Sequence, residues 1–479
     1  MGSMPRFAFV AVAIVLVAGL SLGFASTGVV KEDVDRNISI PDDLVMDLDM
    51  KVAYDDDEIF WRFRWDSETP HFYHDYLVYE GGEWVRYGRS PVGSEPQGLY
   101  EDRVTMLVDD GSVDGFAQYG GYMTVTDNEM RSYTDEADEE EVQAVLGEDD
   151  VRKFLPETRT DIDDWRTRRS DDELDELRRS GYFLDLWHWR AHRSNPIGWA
   201  DDTLVFDYRL SDEGTGPFTT NADDDGNPAF MFDVDATGQY AMDFDRLLAL
   251  DYGQDDFYYL SEDIAVPFDP DHDWQEGDAI PRRLLREPDG SRGVIFAQGL
   301  ATNGEWNVEL RRALDTGYPL DDKALSHLGL YDVAFAVHTN ATGSRWHYVS
   351  FPFSLGLSRS ADIEATRFDG DAPPWDDIEW TTVTLFYPGQ TGYNHAVSDD
   401  HAGAEEVRER VNIRAAHSEE QLAHYVVEGE FRSEIRRQWY FTAVAWIFFV
   451  IATTVAVARL TGRDDDHPDQ TRTAEEVSA

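Results

Sequence analysis

The sequence predicts a mainly β fold, a sandwich or barrel with helical insertions, flanked by N- and C-terminal transmembrane segments. Three observations predict it. Short runs of period-two hydrophobicity recur from residue 57 to 387, Gly, Asp, Asn and Pro clusters separate them, and a long uncharged stretch lies near each end of the 479 residues.

From Phe7 to Val30 the 24 residues "FAFVAVAIVLVAGLSLGFASTGVV" carry no charge, enough to cross a hydrocarbon core of about 30 Å. Residues 1–30 are therefore expected to be a signal sequence or an N-terminal membrane anchor, with "GFAST" as a small-residue cleavage site. Residues 31–358 hold the alternating runs "DEIFWRFRW" (57–65), "GYFLDLWHWRAH" (181–192), "NVELRRAL" (307–314) and "YDVAFAVHT" (331–339), with "WTTVTLFY" (380–387) beyond them. Residues of one face recur every second position in such runs, the signature of half-buried strands. Within this domain, 135–180 is acidic and partly helical in period, and is expected to be a surface insertion. Residues 359–436 read as a stalk or cap. Gln438 to Ala458 gives 21 uncharged residues opened by Trp439 and Tyr440, so 437–459 is expected to be a transmembrane helix and 460–479 a cytoplasmic tail. The domain would then stand at the cell membrane on its extracytoplasmic side.

Composition restricts function. With 96 acidic against 41 basic residues the formal charge is −55, and such a surface repels nucleic-acid phosphate. Lysine occurs only at 31, 51, 153 and 323, a dispersed acid, lysine-poor pattern expected of a halophilic protein. There is no cysteine, which removes disulfides, thiolate metal sites and covalent c-type haem attachment. Any metal falls to His, Met, Lys or carboxylate.

Most of the 13 histidines make poor ligands. His188 and His192 in "WHWRAH" share a strand face but stand about 13 Å apart, too far for one metal, and read as partly exposed. "DDDGN" (223–227) lacks the distal Glu of a calcium loop. With so many acids, paired carboxylates carry no signal for glycoside hydrolysis. His347 differs. In "RWHYVSFPFSLGL" (345–357) it sits among Trp346, Tyr348, Phe351 and Phe353, surroundings suited to a large apolar cofactor such as haem, whose iron accepts His and Met. Met106 and Met123 are the candidate thioethers, with Met130 behind them.

Three segments, "DLWHWRAHRSNPIGWADD" (185–202), "GEWNVELRRALDT" (304–316) and "YDVAFAVHTNATGSRWHYVSFPFSLGL" (331–357), together resemble the haem-binding domain of ethylbenzene dehydrogenase-type enzymes. That domain is the haem b gamma subunit of type II dimethyl sulfoxide reductase family molybdoenzymes. The resemblance spans roughly residues 40 to 390. It implies a β-sandwich, here expected to be immunoglobulin-like, clamping one non-covalent haem b between a methionine and a Lys or His. It makes His347 the counterpart of the basic ligand, where several relatives have Lys, and Met123 the methionine, with Met106 and Met130 as alternatives. Trp346, Tyr348 and Trp187 complete the expected cofactor contacts. Where some relatives carry Cys-x-x-Cys-His, this chain has "MTVTD" (123–127) and "IRAAH" (413–417), without cysteine. The resemblance implies a non-catalytic, membrane-anchored electron-transfer subunit serving a molybdopterin-containing catalytic subunit and an iron–sulfur subunit. The competing expectation is a haem-free, membrane-anchored β-sandwich that binds carbohydrate or cell envelope through exposed aromatic faces.

Overall fold

A computed structural model describes residues 45–88, 99–124, 137–148, 151, 153–161, 164–339 and 347–386, and, further on, 439–440, 443–444, 446–447, 449–451 and 453–454. The chain divides into two units, 41–418 and 1–40 with 419–479. The described residues between 45 and 386 are mainly β, as the alternation predicts.

Thirteen strands form the main sheet: β1 (Val45–Tyr54), β2 (Glu58–Asp66), β3 (Arg103–Asp109), β4 (Leu184–Arg190), β5 (Asp201–Val205), β6 (Arg209–Ser211), β7 (Phe296–Thr302), β8 (Glu305–Ala313), β9 (Leu330–His338), β10 (Tyr348–Val349), β11 (Phe353–Leu357), β12 (Ile363–Arg367) and β13 (Thr381–Phe386). Their order is β7-β8-β2-β1-β12-β11-β9-β3-β4-β5-β6, with β13 and β10 forming a second bridge between β1 and β9. The sequence dictates the pairing locally. In β2, Ile59, Trp61, Phe63 and Trp65 are buried while Arg62 and Arg64 face outward, and in β8 Trp306, Val308 and Leu310 answer them. Asn303 and Gly304 join β7 to β8 with both φ angles positive, 57° and 83°, the two-residue turn whose twist matches a hairpin.

The sheet folds over on itself. β2 and β9 are four interstrand steps apart, about 19 Å in a flat sheet. Yet Phe335 of β9 meets Trp61 and Phe63 of β2 at ring separations of 6.0 Å. Trp189 of β4 meets Trp306 of β8 at 5.0 Å and Trp65 of β2 at 6.0 Å. Two layers therefore enclose one aromatic core, and Gly299 of β7 lies so close to the Trp189 ring that any Cβ there would collide with it.

Two expectations are corrected here. Among the described residues no helix is long and apolar enough to cross a membrane, so the flanking transmembrane segments are not supported. The 1–30 segment lies outside the described residues. Between 439 and 454 the described residues are helical, and Thr453 and Thr454 turn their hydroxyls onto the Phe449 and Val450 carbonyls. A run without charge is a weaker condition than a long continuous apolar helix. The topology also departs from an immunoglobulin sandwich, because β12 pairs in parallel with both β1 and β11 inside one continuous sheet.

The 135–180 segment is more than surface. It carries helices α2 (Glu139–Leu146) and α3 (Asp171–Arg179), behind the short α1 (Phe116–Tyr119). Asp138 caps α2 and a Ser170–Glu173 capping box starts α3, which explains how so acidic a stretch stays helical. Phe154 and Trp165 are buried in a cluster of their own, and Leu155 and Leu174 join the apolar layer on the outer side of β3, β4 and β9.

Candidate functional site

Strand alternation sorts the candidate residues onto two faces. Along β9, Val333, Phe335 and Val337 enter the aromatic core, while Ala334 belongs to the outer apolar layer. Ala336 and His338 follow Ala334 at period two. Ala336 pairs with Val349 and Val337 with Tyr348, so His338 comes opposite His347. Their imidazoles stack, centroids 4.2 Å apart and planes 10° apart. His347 is only 3% exposed and His338 6%.

The same register continues across the sheet. His338 pairs with Arg103 of β3, and Arg103 with Arg190 of β4, giving the row His347, His338, Arg103, Arg190 on the outer face. Arg190 donates to Asp201 at 2.5 Å and lies 3.0 Å from Nδ1 of His188. That nitrogen also receives Arg209 at 2.6 Å, and since both partners are guanidinium donors it accepts. Burial, then the charges of Arg190 and Arg209, hold His188 well below the usual histidine range, so it is a neutral acceptor. His192 donates Nδ1–H to the Phe72 carbonyl at 3.1 Å, and burial lowers its pKa to about 4. Both were expected to be partly exposed. They are 2% and 0% exposed, because Arg190 and Arg209 close on His188 and because Phe72, Tyr76 and Tyr258 surround His192.

Met123 lies on a 3-10 turn, Gly120–Thr124, that packs over the outer face. Gly121 approaches Leu107 and Val349: a Cβ there would stand 3.7 and 3.8 Å from their side chains, ordinary contact. Tyr122 stacks on Phe351 at 5.5 Å. The Met123 side chain is buried in the apolar layer with Leu107, Phe116, Tyr119 and Ala334, and its methyl points toward Gly115. The structure thus brings Met123 and His347 to one face.

Met106 falls on the other face. It pairs with Phe335 and Trp187 in the aromatic core. Trp187 and Tyr348 likewise turn to that side. Trp346 and Met130 lie outside the described residues. Sequence reading missed His338, although it closes the run "YDVAFAVHT"; its signal was its place opposite His347 across the β9–β10 connection, which only a register reveals.

Donor chemistry fits a haem. A buried imidazole and a buried thioether on one side of a sheet are the two ligand types that haem iron takes. Without cysteine any such haem is held non-covalently. The aromatic-face alternative finds no such footing. None of the described tryptophans and tyrosines between residues 45 and 386 is exposed.

These features define a mainly β, two-layered protein with a histidine-bearing outer face. Residues 24–350 match the family described as ethylbenzene dehydrogenase, and the chain belongs to that family. The chain is also similar to cytochrome c-552 of Stutzerimonas stutzeri, 32% identical over 82 residues, which cover 17% of this chain and 28% of that protein.

Proposed function

We propose that this chain is the electron-transfer subunit of an extracytoplasmic molybdoenzyme of the dimethyl sulfoxide reductase family, and that it binds one haem b without covalent attachment. It would work beside a molybdopterin-containing catalytic subunit and an iron–sulfur subunit, and perform no substrate chemistry. The observation that carries the reading is the shared face of His347 and Met123. When bound, haem supplies a one-electron redox centre. His347 is oriented by its stack on His338, which restricts the ring before any ligand arrives. Met123 is unbranched, so its sulfur can swing from the apolar layer with little backbone cost.

The test is the absorbance spectrum of the purified full chain after haem addition. A reducible, low-spin spectrum at one equivalent is expected, and His347→Ala should abolish it. A colourless chain, or bands unchanged in His347→Ala, would overturn the assignment.

A further inference from the structure

On the opposite flank of β4 from the histidine row, four carboxylates gather inside the protein: Asp185 of β4, Asp202 of β5, Asp212 just past β6, and Asp322 in the connection between β8 and β9. Their exposures are 0%, 0%, 4% and 4%. One oxygen from each of Asp185, Asp202 and Asp322 lies within 4.8 Å of the others, the span available to oxygens around one calcium ion at about 2.3–2.6 Å each.

One cation, Arg312 of β8, is fully buried among them, donates to Asp185 at 2.7 Å and Asp202 at 3.3 Å, and pairs with Asp322 Oδ1 at 3.7 Å. Its ring-side face is held by Trp187, 4.3 Å away. Neighbouring cations are committed elsewhere. The Lys323 ammonium binds Asp109, Asp110 and the Gly181 carbonyl, Arg178 binds Asp321, and Arg190 and Arg292 bind Asp201.

The hydrogen bonds leave a definite set of oxygens over. Asp185 Oδ2 accepts from Arg312 and the Lys323 backbone N–H. Asp322 Oδ2 accepts from Ser291 and Thr316. Asp202 accepts from the Thr203 backbone N–H and Arg312. Asp185 Oδ1, Asp322 Oδ1 and both oxygens of Asp212 are buried and accept no hydrogen bond. Asp212 stands one position past the Thr203–Ser211 pair of β5 and β6, opposite Asp202, and is a carboxylate 96% enclosed with no donor on either oxygen. A buried oxygen with no donor is costly, and a buried anion more so.

We propose that Asp185, Asp202, Asp212 and Asp322 form a calcium-binding site, with Arg312 as its fixed inner counter-charge. Hard carboxylate oxygens, no nitrogen or sulfur donor and an irregular arrangement select calcium over transition metals, and over magnesium, which demands a tighter octahedron. The ion would tie the β8–β9 connection to β4 and β5. The site is independent of the haem.

Terbium, a calcium surrogate, tests it on the full chain freed of metal by chelator. Trp187 adjoins the cluster and should sensitise terbium emission, saturating at one equivalent and displaced by calcium. Asp212→Asn should weaken terbium binding by more than about tenfold. Asp223→Asn, in an exposed acidic loop, should leave it unchanged and so separates the site from general attraction to an acidic surface. Thermal melts in chelator accompany both. Asp212→Asn should melt no lower than the parent without metal and lose the calcium-induced rise. Emission that never saturates, or equal emission and an equal calcium-induced rise in Asp212→Asn, would overturn the proposal.

Discussion

His338 and His347 lie ring on ring, 4.2 Å between centroids, across the connection from β9 to β10. A stack of this kind orients His347 without occupying both of its nitrogens, which separates ligation from positioning. His338→Ala should therefore retain a low-spin haem spectrum but weaken haem retention, whereas His347→Ala should lose the low-spin spectrum entirely. His338→Phe, which keeps a flat ring in place, should restore retention. Absorbance spectra and haem transfer to apomyoglobin measure the two effects separately. Equal loss in His338→Ala and His347→Ala would show that the pair acts as one ligand unit.

The two sheet faces give a second discrimination. Met106 is packed against the aromatic core with Phe335 and Trp187, and Met123 against the outer layer with Leu107 and Ala334. Leucine conserves volume at both places, at a cost below about 1.5 kcal/mol. Met123→Leu should convert the haem to a spectrum lacking thioether ligation and lower its potential, while Met106→Leu should leave both unchanged. Redox titration of each variant reads the result, and a shift on Met106→Leu alone would reverse the assignment.

The strands were legible because their chemistry is local. "DEIFWRFRW" and "NVELRRAL" alternate, broken at Phe60 and Arg312, and β2 and β8 follow them within two residues. Within the acidic 135–180 segment the burial of Val142, Val151, Phe154, Leu155, Trp165 and Leu174 was not legible, because acidic and basic residues outnumber them throughout. His347 could be singled out from its aromatic neighbours, yet Tyr348 and Phe353 turn to the core while His347 turns outward. The four-aspartate cluster was invisible for a different reason. With 96 acidic residues in the chain, nothing local separates Asp212 from a solvated carboxylate, and its burial depends on strands distant in sequence.

Asp102 makes stability depend on pH. It is buried between the layers and accepts from the His71 backbone N–H at 3.1 Å, Trp306 Nε1 at 2.8 Å and Ser67 at 3.4 Å. Burial raises its pKa to about 7 from 3.8, and those donors only partly offset it. The folded state thus holds a proton that the unfolded chain releases, so this contribution is complete below pH 3.8 and is lost as pH rises through about 7. The full swing is on the order of 4 kcal/mol. Asp102→Asn, which keeps an acceptor for Trp306, should flatten the decline of stability between pH 4 and 7 relative to the parent. Urea melts across that range check it; parallel curves for the two proteins would mean that Asp102 is ionised in the fold.

Arg312 shows what the buried charges require of one another. The apolar face of β8 runs Trp306, Val308, Leu310 and then Arg312, so a guanidinium occupies the position where alternation calls for a fourth hydrophobe. It is tolerated because Asp185 and Asp202 meet it and its plane lies over Trp187. Methionine would fill much of the space, but it would leave the carboxylates of Asp185 and Asp202 with no counter-charge. Breaking a buried pair on one side costs about 3–5 kcal/mol. Arg312→Met should therefore destabilise the chain by about that amount, measured by urea unfolding at neutral pH in chelator. The double variant Arg312→Met with Asp185→Asn should recover a large part of the loss, since it removes a stranded charge along with its partner. Loss that is additive in the double variant would mean that Arg312 acts through packing on Trp187 and not through the aspartates.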